Sequence, residues 1–197
     1  MIQFNYQTEL KNQKLNNHSK DHLLWQQLRL GNQVAFEAIY QRYAATLSFF
    51  GFKLTTHEEI INDAIQDIFI NLWQKRSQLP LVKNIKAYLL KSLRNRILRI
   101  LESRNLTGNG EQPSEAIQDS FENRIILKEL EQETLSQLHA CIRSLPARQQ
   151  EVINLRYFQN LKTEEIAEIL EINYQSVSNL LYKGIKALKK QVQLPQI

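Results

Sequence analysis

The stretch Lys162-Thr163-Glu164-Glu165-Ile166-Ala167-Glu168-Ile169-Leu170, followed by Glu171-Ile172-Asn173 and then by Tyr174 to Lys190, predicts two helices across a tight turn. That is the pattern of a helix-turn-helix. Thr163 is placed to cap the first helix, with Glu164 and Glu165 in its first turn against the positive end of the helix dipole. Ile166, Ala167, Ile169 and Leu170 recur at helical spacing and point to a core, and Ala167 is small enough for a close helix crossing. Asn173 suits the cap of the second helix, whose buried stripe is Val177, Leu180, Leu181, Ile185 and Leu188. The outward set is Gln175, Ser176, Ser178, Asn179, Tyr182, Lys183 and Lys186. Amides and hydroxyls near a helix start suit base edges in a major groove, and lysines further along suit phosphates. A helical hairpin with a solvated basic face fits the same residues.

Working outward, the composition is that of a folded helical protein. The chain has 197 residues, 43% hydrophobic and 23% charged, with only five Gly and four Pro. No window approaches the roughly 20 apolar residues that span a bilayer, and Met1 to Lys20 carries no apolar signal segment. A cytoplasmic protein without membrane insertion is expected. Cys141 stands alone in an apolar helical pattern and reads as a buried structural thiol.

Charge is distributed in blocks. Between Lys83 and Arg104 seven Lys and Arg face Glu102 alone, and between Asn105 and Thr134 seven acids face Arg124 and Lys128. From Glu171 onward four lysines face one acid. Two basic blocks around an acidic one are the footprint of two nucleic-acid contacts joined by a segment that avoids or mimics nucleic acid.

The remaining elements are also helical. Asp21 opens a helix with Leu23, Leu24, Trp25 and Leu28, which Gly31-Asn32 breaks. Val34, Phe36, Ile39, Tyr40, Tyr43 and Leu47 carry an aromatic second helix. A third begins at Thr56, with Ile60, Ile61, Ala64, Ile65, Ile68, Leu72 and Trp73 as its stripe, and ends at Ser77-Gln78-Leu79-Pro80. Opposite that stripe lie Asn62, Asp63, Gln66, Asp67 and Asn71, either a solvated face or an acidic docking surface for a basic protein helix. A fourth helix, about 85–103, turns Tyr88, Leu89, Leu93, Ile97 and Ile100 inward and its Lys/Arg series outward. Basic residues interleaved with an aromatic and an amide suit opened DNA, and a plain basic surface helix fits equally. A linker follows, then a helix from near Phe121 past Leu138, a break at Leu145-Pro146, and a short helix Ala147 to Tyr157.

The expected fold is all-α: a tail at 1–19, a helical domain at 20–104, a flexible acidic linker at 105–129 and a second helical domain at 130–193. No phosphate-cradling loop, Cys/His metal spacing or nucleophile motif occurs, and His18, His22, His57 and His139 are scattered. Neither a cofactor nor a metal is expected, and catalysis is the weaker class.

The order of pieces resembles the extracytoplasmic-function sigma factors of bacterial RNA polymerase. Four stretches carry it: Ala35 to Tyr43, Asp63 to Trp73, Ile85 to Leu90 with Leu93 to Arg96, and Leu145 to Leu188. The resemblance implies sigma regions 2 and 4, core RNA polymerase and promoter DNA as partners, an anti-sigma factor, and no enzymatic chemistry. It implies that Asp63, Gln66, Asp67 and Asn71 face the polymerase clamp helices. Asn84, Lys86, Tyr88, Lys91, Arg94, Asn95, Arg96 and Arg99, with the loop Ser77 to Asn84, would hold the unpaired −10 strand. Gln175, Ser176, Ser178, Asn179, Tyr182, Lys183 and Lys186 would read the −35 duplex, and Leu145 to Phe158 would pack near the polymerase flap. Several positions depart from the family pattern. Glu171 stands where Gly is frequent, Ser178 and Leu180 where basic residues are frequent, Tyr88 where Trp is, and Arg99 where Asp is. The sparse early charge implies a weak −35 contact unless polymerase holds it. A stand-alone helix-turn-helix regulator with an N-terminal sensing domain is the alternative, and it would have no need of the acidic third-helix face.

Overall fold

The computed structural model describes residues 20–106 and 137–191. Their regular secondary structure is entirely helical. The chain divides into two compact units, with the boundary between Pro113 and Ser114. The expected tail at 1–19, residues 107–129 of the expected linker and most of the helix expected from Phe121 lie outside the described residues, and α4 takes up the first two linker positions.

The first unit holds α1 (20–29), α2 (Gln33–Gly51), α3 (Glu58–Gln74), a short 3-10 turn (Arg76–Gln78) and α4 (Ile85–Leu106). Helices α2, α3 and α4 pack on one another. Trp25, Leu28, Ile39, Leu47, Phe50, Ile60, Ile61, Leu89, Leu90, Leu93 and Ile97 are fully enclosed. Each such side chain contributes about 1.5–3 kcal/mol by leaving water. Gly31, at φ 88, lets the chain turn between α1 and α2. At Gly51 a Cβ would stand 2.6 Å from Ile61 Cγ2, so the end of α2 can approach α3 only without a side chain.

Several expected inward positions are corrected. Val34 is 75% exposed and Tyr40 41%. The buried side of α2 is Ala35, Ile39, Tyr43, Leu47 and Phe50, at steps of four, four, four and three, which leaves Val34 and Tyr40 round the edge. Helix α3 starts at Glu58 rather than Thr56. Thr55 Oγ1 accepts from the His57 N–H at 3.3 Å, and His57 is extended at φ −81, ψ 98, so the helix cannot begin earlier. Phe69 joins the buried stripe of α3, while Trp73 is half-buried. Tyr88 and Ile100 are also half-buried.

The second unit holds α5 (137–143), α6 (Ala147–Ile153), a widened π turn (Asn154–Phe158), α7 (Thr163–Leu170) and α8 (Tyr174–Gln191). Helix α8 packs on α6 and α7. The short helix expected to reach Tyr157 is α-helical only to Ile153. Of the stripe expected on α8 only Val177 is buried, and Leu180, Leu181, Ile185 and Leu188 are half-buried. The second buried position is Gly184, where a Cβ would meet Ile153 Cδ1 at 2.7 Å. Close approach of α6 at that point takes the space that a deeper apolar stripe would fill. Cys141, on α5, is half-buried rather than buried.

Thr163 is the first residue of α7 and not its cap. Lys162 holds the cap position, extended at φ −76, ψ 158, and its backbone N–H donates to Glu165 Oε2 at 2.7 Å. A lysine side chain has no acceptor to return, so one half of the capping box is made.

Candidate docking and nucleic-acid interfaces

Three asparagines set the starts of the helices that present candidate residues. Asn32, Asn84 and Asn173 accept through Oδ1 from the backbone N–H three residues on, at Ala35, Ala87 and Ser176, at 3.1, 3.2 and 2.7 Å. Each satisfies a donor that the first helical turn leaves open. Asn84, expected as a −10 contact, thus spends its side-chain oxygen on capping α4.

On α3, Asp63, Gln66 and Asn71 are exposed. Asp67 is not an open acid. Arg96 of α4 reaches it with Nε at 2.9 Å and Nη2 at 2.5 Å, both to Oδ2. Asn71 Nδ2 donates to the Asp67 carbonyl at 2.7 Å. The acidic face and the basic helix are therefore in direct contact, across 29 positions of sequence. The paired side chains keep 47% and 40% of their exposure, so the pair is worth at most about 1 kcal/mol, and an external cation can replace Arg96.

Beside that face, between α2 and α3, runs an open groove of about 740 Å³ lined by Phe36, Tyr40, Gln66, Phe69, Ile70 and Trp73. Its aromatic rings pack on one another. Tyr40 and Phe36 lie 4.9 and 6.0 Å from Phe69, and Phe36 lies 5.2 Å from Trp73. Arg76 closes the end of α3, 4.6 Å over the Trp73 ring and donating to the Trp73 carbonyl at 2.7 Å. Phe36 and Tyr40 of α2 and Trp73 of α3, expected on apolar stripes, line this groove, while Phe69 is buried beneath it. Their steps off the buried stripe of α2 were the signal that some face outward.

Helix α4 sorts the −10 candidates. Tyr88, Lys91, Asn95 and Arg99 follow at steps of three, four and four and form one solvent-facing side, Arg99 exposed and the others half-buried. Lys86 is half-buried and about half a turn round from that side. Arg94, expected outward, is 8% exposed. It stands four residues after Leu90 and three before Ile97, both fully buried, so helix periodicity turns it inward. Tyr88 sets its ring edge against Trp25 at 5.3 Å. Burial raises its hydroxyl pKa above the ordinary tyrosine value.

In the second unit the turn between α7 and α8 takes the left-handed form at Glu171, φ 55 and ψ 41, with its N–H on the Ala167 carbonyl. A Cβ there costs roughly 1–2 kcal/mol. From this turn α8 presents Gln175, Asn179, Tyr182, Lys183 and Lys186 to solvent, with Ser176 and Ser178 half-buried. Gln175 donates to Asn179 Oδ1 at 3.2 Å, which fixes an amide pair near the helix start. Lys186 Nζ lies 6.0 Å from the Tyr182 ring, at the outer limit of cation–π attraction.

The π turn at Asn154–Phe158 departs from the expected short helix. It leaves Tyr157 and Phe158 58% and 45% exposed and encloses Asn154, whose Oδ1 has no hydrogen-bond partner. No group of His, Cys, Asp or Glu able to hold a metal forms among the described residues. Nor is any helix among them long and apolar enough to cross a membrane.

The family model Sigma-70 region 2 matches residues 39–107, and the family model Sigma-70, region 4 matches residues 135–188. Together they cover more than half of the chain, in the family's order. The chain belongs to the sigma-70 family. Its α2–α4 unit is then region 2, and α5–α8 is region 4. The chain is 42% identical over 55 residues to the RNA polymerase sigma factor SigV of Bacillus subtilis, a match spanning 28% of this chain and a third of that relative's length. Two solved structures share the fold. The sigma factor RpoE in complex with the anti-sigma factor NepR, from Bartonella quintana, has a TM-score of 0.60 at 19% identity, over 82% of this chain and 98% of that one. CnrH in complex with the cytosolic domain of CnrY has a TM-score of 0.59 at 18% identity, over 89% and 99%.

Proposed function

We propose that this sigma-70 family member is an extracytoplasmic-function sigma factor. It lends core RNA polymerase its promoter recognition and helps to open the duplex, with no covalent chemistry of its own. One observation carries the reading. The polar α3 face and the basic α4 helix meet in one compact unit, in contact through Asp67 and Arg96. A protein that must hold polymerase and opened DNA side by side needs that adjacency. A sensor domain does not.

In this reading Asp63, Gln66, Asp67 and Asn71 dock on core polymerase. Tyr88, Lys91, Asn95 and Arg99 track the unpaired −10 strand, where stacking and phosphate contacts combine. Gln175, Asn179, Tyr182, Lys183 and Lys186 face the −35 duplex, with Ser176 and Ser178 at the edge. Arg94 and Asn84 support α4 rather than touch DNA, and Arg96 holds Asp67 until polymerase supplies a cation. The segment 105–129 serves as the linker between regions. RpoE was co-crystallised with an anti-sigma factor, and an anti-sigma partner is proposed for this chain on that similarity.

Co-purification with core polymerase tests the docking face. Asp63→Lys with Asp67→Lys should abolish it while the helical fold persists. Arg96→Ala breaks the internal pair but keeps both acids, and should retain binding. Undiminished co-purification of the double variant contradicts the proposal.

A further inference from the structure

Trp25 is fully buried, and a buried indole N–H needs an acceptor. The acceptor is the Pro80 carbonyl, at 2.8 Å and 55 positions away, in the loop between α3 and α4. The same indole sets its ring against Tyr88 at 5.3 Å and 67°. One side chain of α1 thereby touches both the loop and the first turn of the helix that the loop feeds. A residue present only to fill the core would need no N–H.

The surroundings make this contact a brace. Helix α1 is itself fixed to α2, because Asp21 pairs with Arg42 and accepts from the Tyr43 hydroxyl at 2.6 Å. Arg76 anchors the loop's beginning over Trp73, Leu79 is buried beside Pro80, and Asn84 caps α4 at its end. Between these anchors Leu81 stands out at 67% exposure, with Lys83 also exposed. We infer that Trp25 is a positioning residue: through the Pro80 carbonyl and the Tyr88 ring it holds the α3–α4 loop and the start of α4 in the shape that receives the unpaired −10 strand. This rests on the function proposed above. A preshaped loop binds without the cost of being ordered at that moment.

The test uses full-length chain assembled with core polymerase. The probe is the duplex that wild-type holoenzyme selects from a random pool, offered as its −10 single strand and as its −35 duplex. Trp25→Phe keeps the aromatic ring and removes the N–H. It should weaken single-strand binding by about fivefold, the equivalent of one net hydrogen bond, and leave −35 duplex and polymerase affinities unchanged. Pro80→Gly, which loosens the same carbonyl with Trp25 intact, should show the same selective loss and carries the test if Trp25→Phe does not fold. Combining the two should add little, since they act on one contact. Single-strand binding equal to wild type in either folded variant, or an equal loss of all three affinities, overturns the inference. If wild-type holoenzyme selects no duplex, the sigma-factor reading itself fails.

Discussion

The two units differ in how much aromatic side chain their cores enclose. In 20–106, Trp25, Phe50, Tyr43 and Phe69 are buried, and the core surrounds them with enclosed Leu and Ile. In 137–191 the buried apolar set is aliphatic, with Val152, Ile153, Leu155, Leu161, Ile166, Ile169 and Val177, while Tyr157, Phe158, Tyr174 and Tyr182 are all exposed. The difference follows what each surface is proposed to bind. An opened strand has no fixed shape, so its receptor must supply one, and a thick core with cross-braced helices keeps that shape. A duplex is already ordered, so one exposed helix face on a thin support is enough to meet it. The second unit encloses none of Tyr157, Phe158, Tyr174 and Tyr182, which on the proposed reading are left for polymerase and DNA to meet.

Core truncation should separate the units most. Leu93→Ala removes a fully enclosed side chain from the first unit and should cost about 2–5 kcal/mol in denaturant unfolding. Leu181→Ala removes a half-buried one from α8 and should cost about 1 kcal/mol. Equal costs would dissolve the contrast.

A smaller effect is expected from the duplex-facing lysines. Lys183→Ala with Lys186→Ala should lower the slope of log affinity for −35 duplex against log salt by about 0.9 per lost phosphate contact, near two in all. An unaltered slope would place these lysines away from DNA.

The smallest effect concerns the brace of the first unit. Burial, and then the hydrogen bond to Asp21, raise the Tyr43 pKa well above the ordinary 10.0. The folded chain holds this proton more tightly than the unfolded one. Stability from the group is therefore complete below about pH 10 and is lost as pH rises beyond it. Tyr43→Phe should flatten that alkaline loss in pH-dependent melting, and a wild-type-like profile would show that Tyr43 does not titrate with unfolding.

Helix identity, the helix-turn-helix and the polar face of α3 were legible because each follows from local periodicity. The cap at Asn173 was legible for the same reason. Asn84 carries the same cap signature, one position before Ile85, but the family resemblance implies a −10 contact for it. Arg94 was misplaced although its spacing from Leu90 and Ile97 pointed inward. The Asp67–Arg96 pair, the Trp25–Pro80 bond and the approach of Ile153 to Gly184 depend on how helices cross, which no periodicity records. The π turn depends on an added residue per turn, which leaves no pattern in composition.

Reconstituted transcription tests the central claim most directly. Core polymerase, the purified chain and supercoiled genomic fragments should give defined transcript starts, with unpaired thymines upstream of each, only when the chain is present. The Asp63→Lys/Asp67→Lys variant should give none. Starts that do not depend on the chain, or duplex opening by the chain without polymerase, would contradict the account.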